Sequence, residues 1–217
     1  YTGENSWSIS DASGLLASGA DNSSGTIGYC PTYGCTDITA YNYNSSANTD
    51  DASCEYRVYI SEYAEGSSYN KYIEIYNGTG YDLDLSNYTI WKATNGEVWL
   101  DASVLELTGT LANEEVYIIA SNNSGVDSLI DTLANTDWSS FTFNGNDGIG
   151  LARNGVLVDA VGSLGNPGVA WSVAGINEAT KDHVLIRKCN VNQGNTDWAL
   201  SAGSDAQNSE WLVRNID

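Results

Sequence analysis

Two short segments of alternating residues constrain the fold of this chain more than any other feature of its sequence. Residues 58–63 read VYISEY and residues 72–76 read YIEIY, so aliphatic side chains recur at every second position. A period of two residues predicts β-strands with one buried face. We therefore expect Ile60, Ile73 and Ile75 to point into a core.

A turn and a third apolar segment follow these two strands. Residues 77–80, NGTG, accept positive φ at little steric cost. Leu83, Leu85 and Ile90 then resume the apolar side, which predicts a third consecutive strand.

The rest of the chain continues as short apolar segments separated by Gly, Asn and Asp. The Asn-Gly pair at residues 154–155 is typical of a two-residue β-hairpin, and the only helical pattern covers residues 124–135. Because strands do not alternate with helices, we predict an all-β sandwich and not a doubly wound fold. The further predicted strands are residues 98–100, 104–107, 116–120, 141–143, 149–152, 156–161 and 184–186.

Several motifs, in order, resemble one family. The segment ISEYAEGSSYNKYIEIYNGTGYDLDLSNYTI at residues 60–90 is similar to the opening of the lamin-tail domain, in the version found in secreted and surface proteins of bacteria. The resemblance runs from about Arg57 to the end, and it implies an immunoglobulin-like sandwich. The later motifs that carry it are LTGTL at 107–111, VYIIA at 116–120, FNGNDGIGL at 143–151 and RNGVLVDAVG at 153–162.

The charge of the chain excludes some partners. Its 28 acidic and 8 basic residues give a formal net charge of −20, which repels nucleic acid and anionic membrane surfaces but attracts divalent cations. No segment approaches the roughly 20 apolar residues of a membrane span, so we expect no membrane insertion.

The chain divides into three predicted parts, residues 1–29, 30–56 and 57–217. Residues 6–19 predict a hairpin that resembles the end of small β-modules repeated in large secreted proteins of the Bacteroidetes. Two strands with one Trp bury too little area to stand alone. Because the chain starts at Tyr1 without Met, we expect a matured protein or a piece of a longer one.

An acidic segment lies between Cys35 and Cys54. It contains three Asp and three Asn, and it resembles a short disulfide-closed repeat of the same secreted proteins that is generally regarded as calcium-binding. Ca²⁺ takes six to eight oxygen ligands in irregular geometry, which such a loop can supply. The alternative is a loop of Asx turns without a metal. The expected Ca²⁺ ligands are Asp37, Asn42, Asn44, Asn48, Asp50 and Asp51.

Four Cys without a metal-type pair favour disulfides and an oxidising compartment. The resemblance implies a bond between Cys35 and Cys54. Cys30 and Cys189 then remain, and they either pair with each other, stay free, or bond to another molecule.

Candidate catalytic residues are few. His183 is the only His, and a capping or hydrogen-bonding role beside Asp182 is favoured over catalysis. Glu62, Glu65 and Glu74 are the nearest carboxylates for glycoside hydrolysis, but solvated strand faces are their default position and no pair stands out. We therefore predict that the chain is not an enzyme.

Two modification or binding hypotheses stay open. Ser128 and Thr132 lie in the tripeptides DSL and DTL, which match a short O-glycosylation consensus of Bacteroidetes secreted proteins; the alternative is a helical turn capped by Asp127. Exposed Trp side chains stack on sugar rings in carbohydrate-binding modules. The Trp residues considered are Trp91, Trp99, Trp138, Trp171, Trp198 and Trp211.

Together these features predict a secreted or cell-surface structural or adhesive module, stabilised by Ca²⁺. Its expected partners are other extracellular protein domains, copies of itself through edge strands, and surface glycans. The alternatives are a carbohydrate-binding module and an accessory domain of a secreted hydrolase or nuclease.

Overall fold

The computed structural model describes residues 6–20, 31–38, 40–99 and 104–216. The chain forms two compact units. The first comprises Tyr1–Ile38 and Tyr43–Cys54, and the second comprises Thr39–Asn42 and Glu55–Asp217. The short segment 39–42 therefore belongs with the larger unit, although it lies within the acidic loop in the sequence.

The first unit contains a hairpin and a loop closed by a disulfide. Strands β1 (Ser6–Asp11) and β2 (Gly14–Ala20) pair antiparallel with an irregularity after Ile9, which confirms the predicted hairpin. Nearly all of the hairpin side chains are exposed. A parallel bridge between Tyr33 and Thr49 ties the two ends of the loop together.

The second unit contains the remaining strands and two short α-helices, α1 (Ser128–Leu133) and α2 (Trp198–Ala202). Single turns of 3-10 helix lie at Leu85–Asn87 and Thr94–Gly96. The strands are β3 (Val58–Glu65), β4 (Lys71–Asn77), β5 (Leu83–Asp84), β6 (Tyr88–Ala93), β7 (Val104–Glu106), β8 (Thr110–Leu111), β9 (Val116–Ala120), β10 (Thr136–Asp137), β11 (Gly148–Arg153), β12 (Val156–Val161), β13 (His183–Arg187) and β14 (Trp211–Asn215).

Two sheets form the layers of this unit. One has six strands in the order β10-β9-β4-β3-β13-β14, and the other has four in the order β12-β11-β6-β7. All their pairs are antiparallel except β9 with β10, and β5 pairs separately with β8. The fold is thus an immunoglobulin-like β-sandwich, as the family resemblance implies.

One hydrophobic core joins the inner faces of the two sheets. Ile60, Ile73 and Ile75 are fully buried on the six-stranded sheet, as their alternation predicts. Ile90 and Leu151 are fully buried on the four-stranded sheet and face the same core.

Several strand predictions need correction. The third strand is interrupted, because the 3-10 turn at Leu85–Asn87 separates β5 from β6 and sends them to different sheets. Residues 98–99 form no strand, and Leu100 lies outside the described residues. Phe141 and Phe143 are buried but lie in a loop, because their rings pack into the core while the backbone has no partner strand. The pattern missed β14 and α2.

Candidate functional site

The acidic loop is closed by the disulfide that the resemblance implies. Cys35 and Cys54 are bonded with an S–S distance of 2.02 Å, and Cys35 is buried. The amide of Asn44 donates to the carbonyl of Cys35 at 2.9 Å, and that of Gly34 donates to Thr49 at 3.2 Å. The loop is therefore held by a covalent bond and by backbone hydrogen bonds.

Four of the expected Ca²⁺ ligands accept hydrogen bonds from backbone amides of this loop. The Oδ1 atoms of Asn44, Asp50 and Asp51 each accept a hydrogen bond from the amide two residues later, at 3.0, 3.3 and 3.1 Å. Asn48 Oδ1 accepts from the amide of Thr32 at 2.9 Å. The contacts of Asn44, Asp50 and Asp51 are the Asx turns of the alternative interpretation, whereas the contact of Asn48 joins residues that are 16 positions apart.

The remaining two expected Ca²⁺ ligands lie in different units. Asn42 lies in the second unit, where its Oδ1 accepts from the amide of Glu55 at 2.8 Å. Asp37 is half-buried in the first unit. Within the described ranges, no three Asp, Glu, His or Cys side chains lie close enough together to hold a metal ion. Three of the six expected ligands are Asn, so the calcium site of this loop stays a prediction that rests on the chemistry of its side chains.

Cys189, one of the two cysteines outside this disulfide, lies in the second unit. Cys189 is an exposed free thiol in the turn that follows β13. Cys30 lies outside the described residues. The pairing of Cys30 with Cys189, and the alternatives of free thiols or a bond to another molecule, stay predictions.

Glu62 and Glu74 form a pair that the sequence did not single out. They are direct cross-strand partners on β3 and β4, and both are half-buried instead of solvated. The Tyr72 hydroxyl donates to Glu62 Oε1 at 2.6 Å, and the Ser61 hydroxyl donates to Glu74 Oε1 at 2.7 Å. Burial raises the pKa of Glu74, the hydrogen bond from Ser61 lowers it, and the charge of Glu62 raises it further.

A groove of about 280 Å³ lies beside this pair, on the face of the six-stranded sheet turned away from the core. Its other walls are mostly aliphatic side chains of α1 and β9. A sugar needs several hydrogen-bonding groups around it, which such walls do not provide. The groove is therefore mainly apolar on the side opposite the carboxylates. The lining residues besides the two Glu are Tyr72, Ile118, Leu129, Ile130 and Leu133.

Glu65 and His183 take structural positions. Glu65 is buried, forms an ion pair with the ammonium of Lys71, and accepts the amide of Asp182 at 2.6 Å. His183 Nδ1–H donates to the carbonyl of Lys181 at 2.6 Å at the start of β13. This is the hydrogen-bonding role that the sequence favoured for His183.

The Trp residues separate into two groups. Trp138, Trp198 and Trp211 are buried in the core, whereas the other three considered, Trp91, Trp99 and Trp171, are half-buried. The buried group therefore cannot serve as a stacking surface for a ligand.

Trp91 lines a depression of about 380 Å³ at one end of the four-stranded sheet. On β6, Tyr88 and Ile90 are buried in the core while Thr89 and Trp91 point to the outer face. The indole N–H of Trp91 donates to Thr89 Oγ1 at 2.8 Å. The other lining residues are Ser86, Asn87, Val104, Glu106, Asn154 and Gly155.

Helix α1 contains both expected O-glycosylation positions. Ser128 is its first residue, and Thr132 Oγ1 donates to the carbonyl of Ser128 at 2.6 Å. Asp127 is the N-cap, accepting the amide of Leu129 at 2.8 Å. The capped turn is therefore observed, and both hydroxyl-bearing residues are exposed.

A buried carboxylate that no sequence pattern had indicated links the two sheets. Asp159 on β12 is fully buried and accepts the amides of Ile60, Ala160 and Asn195 at 2.7, 2.9 and 2.8 Å. Arg187 on β13 donates Nη2 to both of its oxygens, at 2.8 and 2.7 Å. An acid inside the apolar run VLVDAV was the signal that could have revealed this site.

Arg187 extends the link. Its Nη1 donates to Glu210 Oε2 at 2.6 Å and to Ser201 Oγ at 3.2 Å. The guanidinium stacks on the Trp211 ring, 3.9 Å from the centroid. Burial raises the pKa of Asp159, and the charge of Arg187 opposes this shift. The cluster is fully hydrogen-bonded and links the two sheets. We call Asp159, Arg187 and Glu210 the clasp.

The sequence model of the family described as Lamin Tail Domain matches residues 51–165, more than half of the chain. A search of curated proteins finds no match. The matched segment contains strands β3 to β12, the paired carboxylates and the Trp91 depression. Neither α-helix of the described residues has the length and apolarity needed to cross a membrane.

Proposed function

The chain belongs to the lamin tail domain family, and from this premise we propose that it is a non-enzymatic structural or adhesive module that works outside the cell. The family is immunoglobulin-like and generally non-catalytic, which indicates a structural or interaction role. The observation that carries the extracellular part of the proposal is the disulfide between Cys35 and Cys54. Such bonds persist mainly in oxidising compartments.

The geometry supports a rigid scaffold. The charges of Asp159 and Arg187 are buried but fully paired, which holds one arrangement of the two sheets. The carboxylates that the sequence offered for catalysis are engaged by Tyr72, Ser61 and Lys71. These contacts favour a role in presenting surfaces over a role in chemistry.

Its proposed partners are other extracellular protein domains or further copies of the chain. The edges of the two large sheets are β10 and β14 in one, and β12 and β7 in the other. Edge strands carry backbone groups that accept another strand. If copies assemble in this way, the sedimentation coefficient increases with protein concentration.

Labelling of intact cells tests the location. Antibodies to the purified protein should stain intact cells of the source organism, or detect the protein in the medium. Alkylation of the native protein should block Cys35 and Cys54 only after reduction. Staining that requires permeabilised cells, together with reduced Cys35 and Cys54, would refute the extracellular proposal.

Stabilisation by Ca²⁺ is the second part of the proposal. It is supported by the three Asp and three Asn of one disulfide-closed segment in a chain of net charge −20. Removing Ca²⁺ with EDTA should lower the melting temperature by several degrees and speed proteolysis near residues 36–53. Ca²⁺, but not Mg²⁺, should restore both. If EDTA changes neither property, Ca²⁺ has no part in the fold.

A further inference from the structure

The depression at Trp91 is built by three neighbouring parts of the second unit. Strand β6 supplies Thr89 and Trp91, and the neighbouring β7 supplies Val104 and Glu106, which are paired in register with Trp91 and Thr89. The 3-10 turn before β6 and the β11–β12 turn form the remaining walls. Its volume of about 380 Å³ lies in the usual range for small-ligand sites, about 300–1,000 Å³.

The walls of the depression are held in place by backbone hydrogen bonds. The amide of Asn154 donates to the carbonyl of Asn87 at 2.9 Å, which joins the β11–β12 turn to the start of β6. Asn154 and Gly155 both have positive φ, as a type I′ hairpin turn requires. The polar groups of the rim therefore stand on an ordered backbone.

The Trp91 ring is oriented before any ligand arrives. Its indole N–H is already bonded to Thr89 Oγ1 on the same face of the strand, at 2.8 Å. In register with Trp91 on the next strand is Gly150, and the Trp99 ring lies over that glycine. An aromatic ring that is fixed and half-exposed binds a flat apolar surface at little cost in side-chain entropy.

The chemistry of the rim selects the class of ligand. Ser86, Asn87, Glu106 and Asn154 are all exposed, and they supply hydroxyl, amide and carboxylate groups. None of the lining residues is Lys or Arg, and the chain carries a net charge of −20, so an anionic ligand would be repelled. A sugar ring has one face of C–H groups and a rim of hydroxyls, which match the indole and these polar groups.

From this combination we propose that the Trp91 depression is a binding site for a neutral oligosaccharide. One sugar ring stacks on the indole of Trp91. Its hydroxyls donate to Glu106 and exchange hydrogen bonds with Asn87 and Asn154. The site goes beyond the structural role proposed above, and it depends neither on Ca²⁺ nor on the disulfide.

A glycan array that carries neutral and acidic oligosaccharides tests the proposal, followed by calorimetric titration with the neutral oligosaccharide that binds best. Wild type should bind neutral glycans in preference to acidic ones. Trp91→Ala should lose at least about tenfold in affinity, and Trp91→Phe should lose less. Trp7→Ala is the matched control, since Trp7 is an exposed Trp of the first unit and its loss should not change the affinity for the oligosaccharide.

Glu106→Gln separates binding from folding, because Glu106 is exposed on the rim. It should keep the wild-type circular dichroism spectrum and lose about fivefold in affinity. The proposal is overturned if wild type binds no neutral glycan, or if Glu106→Gln and a folded Trp91→Ala both bind like wild type. Such a result would leave the extracellular location and the structural role untouched, because cell labelling tests those separately.

Discussion

At the scale of single residues, the few charged side chains that the fold buries have a large influence on the stability of the protein. Asp159 and Arg187 are both buried, and a buried ion pair gives little net stability because desolvation offsets the attraction. Removing one partner is different, since it leaves the other charge buried and unpaired. Glu62 and Glu74 show the opposite case, in which two like charges face each other across neighbouring strands.

The clasp predicts a large effect of Asp159→Asn. The change removes the fully buried carboxylate that pairs with Arg187 and leaves only the partly exposed Glu210 as its counter-ion. The free energy of unfolding should therefore fall by about 3 kcal/mol. Urea denaturation at pH 7 measures it. The control is Asp182→Asn, which removes an exposed ion pair with Lys181 at 3.5 Å and should cost no more than about 0.5 kcal/mol. A loss below about 1 kcal/mol for Asp159→Asn would mean that the clasp is dispensable.

Glu74 predicts a pH-dependent stability. Because burial and then Glu62 raise its pKa against the effect of Ser61, the folded state binds the proton more tightly than the unfolded state does. The stabilisation that protonated Glu74 provides is therefore present below its pKa in the unfolded state, and it is lost as the pH rises through its pKa in the folded state. Ionised Glu74 therefore destabilises the folded state at neutral pH.

Glu74→Gln should accordingly unfold at a higher urea concentration than wild type at pH 7. Its free energy of unfolding should be larger by up to about 0.5 kcal/mol after allowance for solvent screening. Near pH 4 the difference should shrink towards zero. Glu115→Gln, which changes an exposed carboxylate, is the control and should show neither effect. A variant that is less stable than wild type at pH 7 would contradict the sign of this argument.

At the scale of elements, one extra residue in β3 aligns the central pair of strands. The pairing with β4 shifts between Ile60 and Glu62, so Ser61 bulges out of register. The shift turns both Ile60 and Tyr63 towards the core, although they are three residues apart. It also places Glu62 outward, opposite Glu74, which creates the carboxylate pair.

The short helix α1 depends on its cap. Asp127→Ala removes the acceptor of the Leu129 amide and should cost about 1 kcal/mol. Amide exchange within residues 129–134 should therefore accelerate about fivefold. Asp127→Asn keeps an acceptor oxygen and should retain most of the protection. Equal exchange in Asp127→Ala and wild type would show that packing on the sheet, and not the cap, holds the helix.

At the scale of the whole molecule, the hydrophobic core belongs to one unit. All of its residues, from Val58 to Trp211, lie in the second unit, whereas the first has mostly exposed side chains and relies on its disulfide. The two units should therefore respond differently when covalent or apolar contacts are removed.

Loss of the disulfide should affect the first unit alone. Closing a loop of about 20 residues contributes about 3 kcal/mol in the chain-entropy model, so Cys35→Ala with Cys54→Ala should speed proteolysis within residues 31–54. The urea midpoint of the second unit, followed by the fluorescence of its buried Trp residues, should stay unchanged. Cys189→Ala is the matched control, as an exposed thiol outside any disulfide. A shift of the urea midpoint only in the double variant would show that the second unit depends on the bond.

The strands that could be predicted are those whose apolar residues form a pattern within a few consecutive residues of the sequence. Alternation located β3 and β4, and short apolar runs separated by Gly, Asn and Asp located β9, β11, β12 and β13. Phe141 and Phe143 alternate in the same way, yet they form no strand, since alternation reports burial and not a hydrogen-bonding partner. Strand β14 was missed because its first residue, Trp211, is buried by packing on Arg187 rather than by a local pattern.

The amino-acid sequence by itself determined the all-β class and the inward residues of β3 and β4, because these depend on neighbours along the chain. The loop closed by one disulfide was implied by the family resemblance. Only the tertiary structure decided which charges meet. Glu62 faces Glu74 because of a bulge, and Asp159 meets Arg187 because two sheets pack. The depression at Trp91 likewise exists only where two strands and two turns converge. Register and sheet packing join residues far apart in the chain, and no local period encodes them.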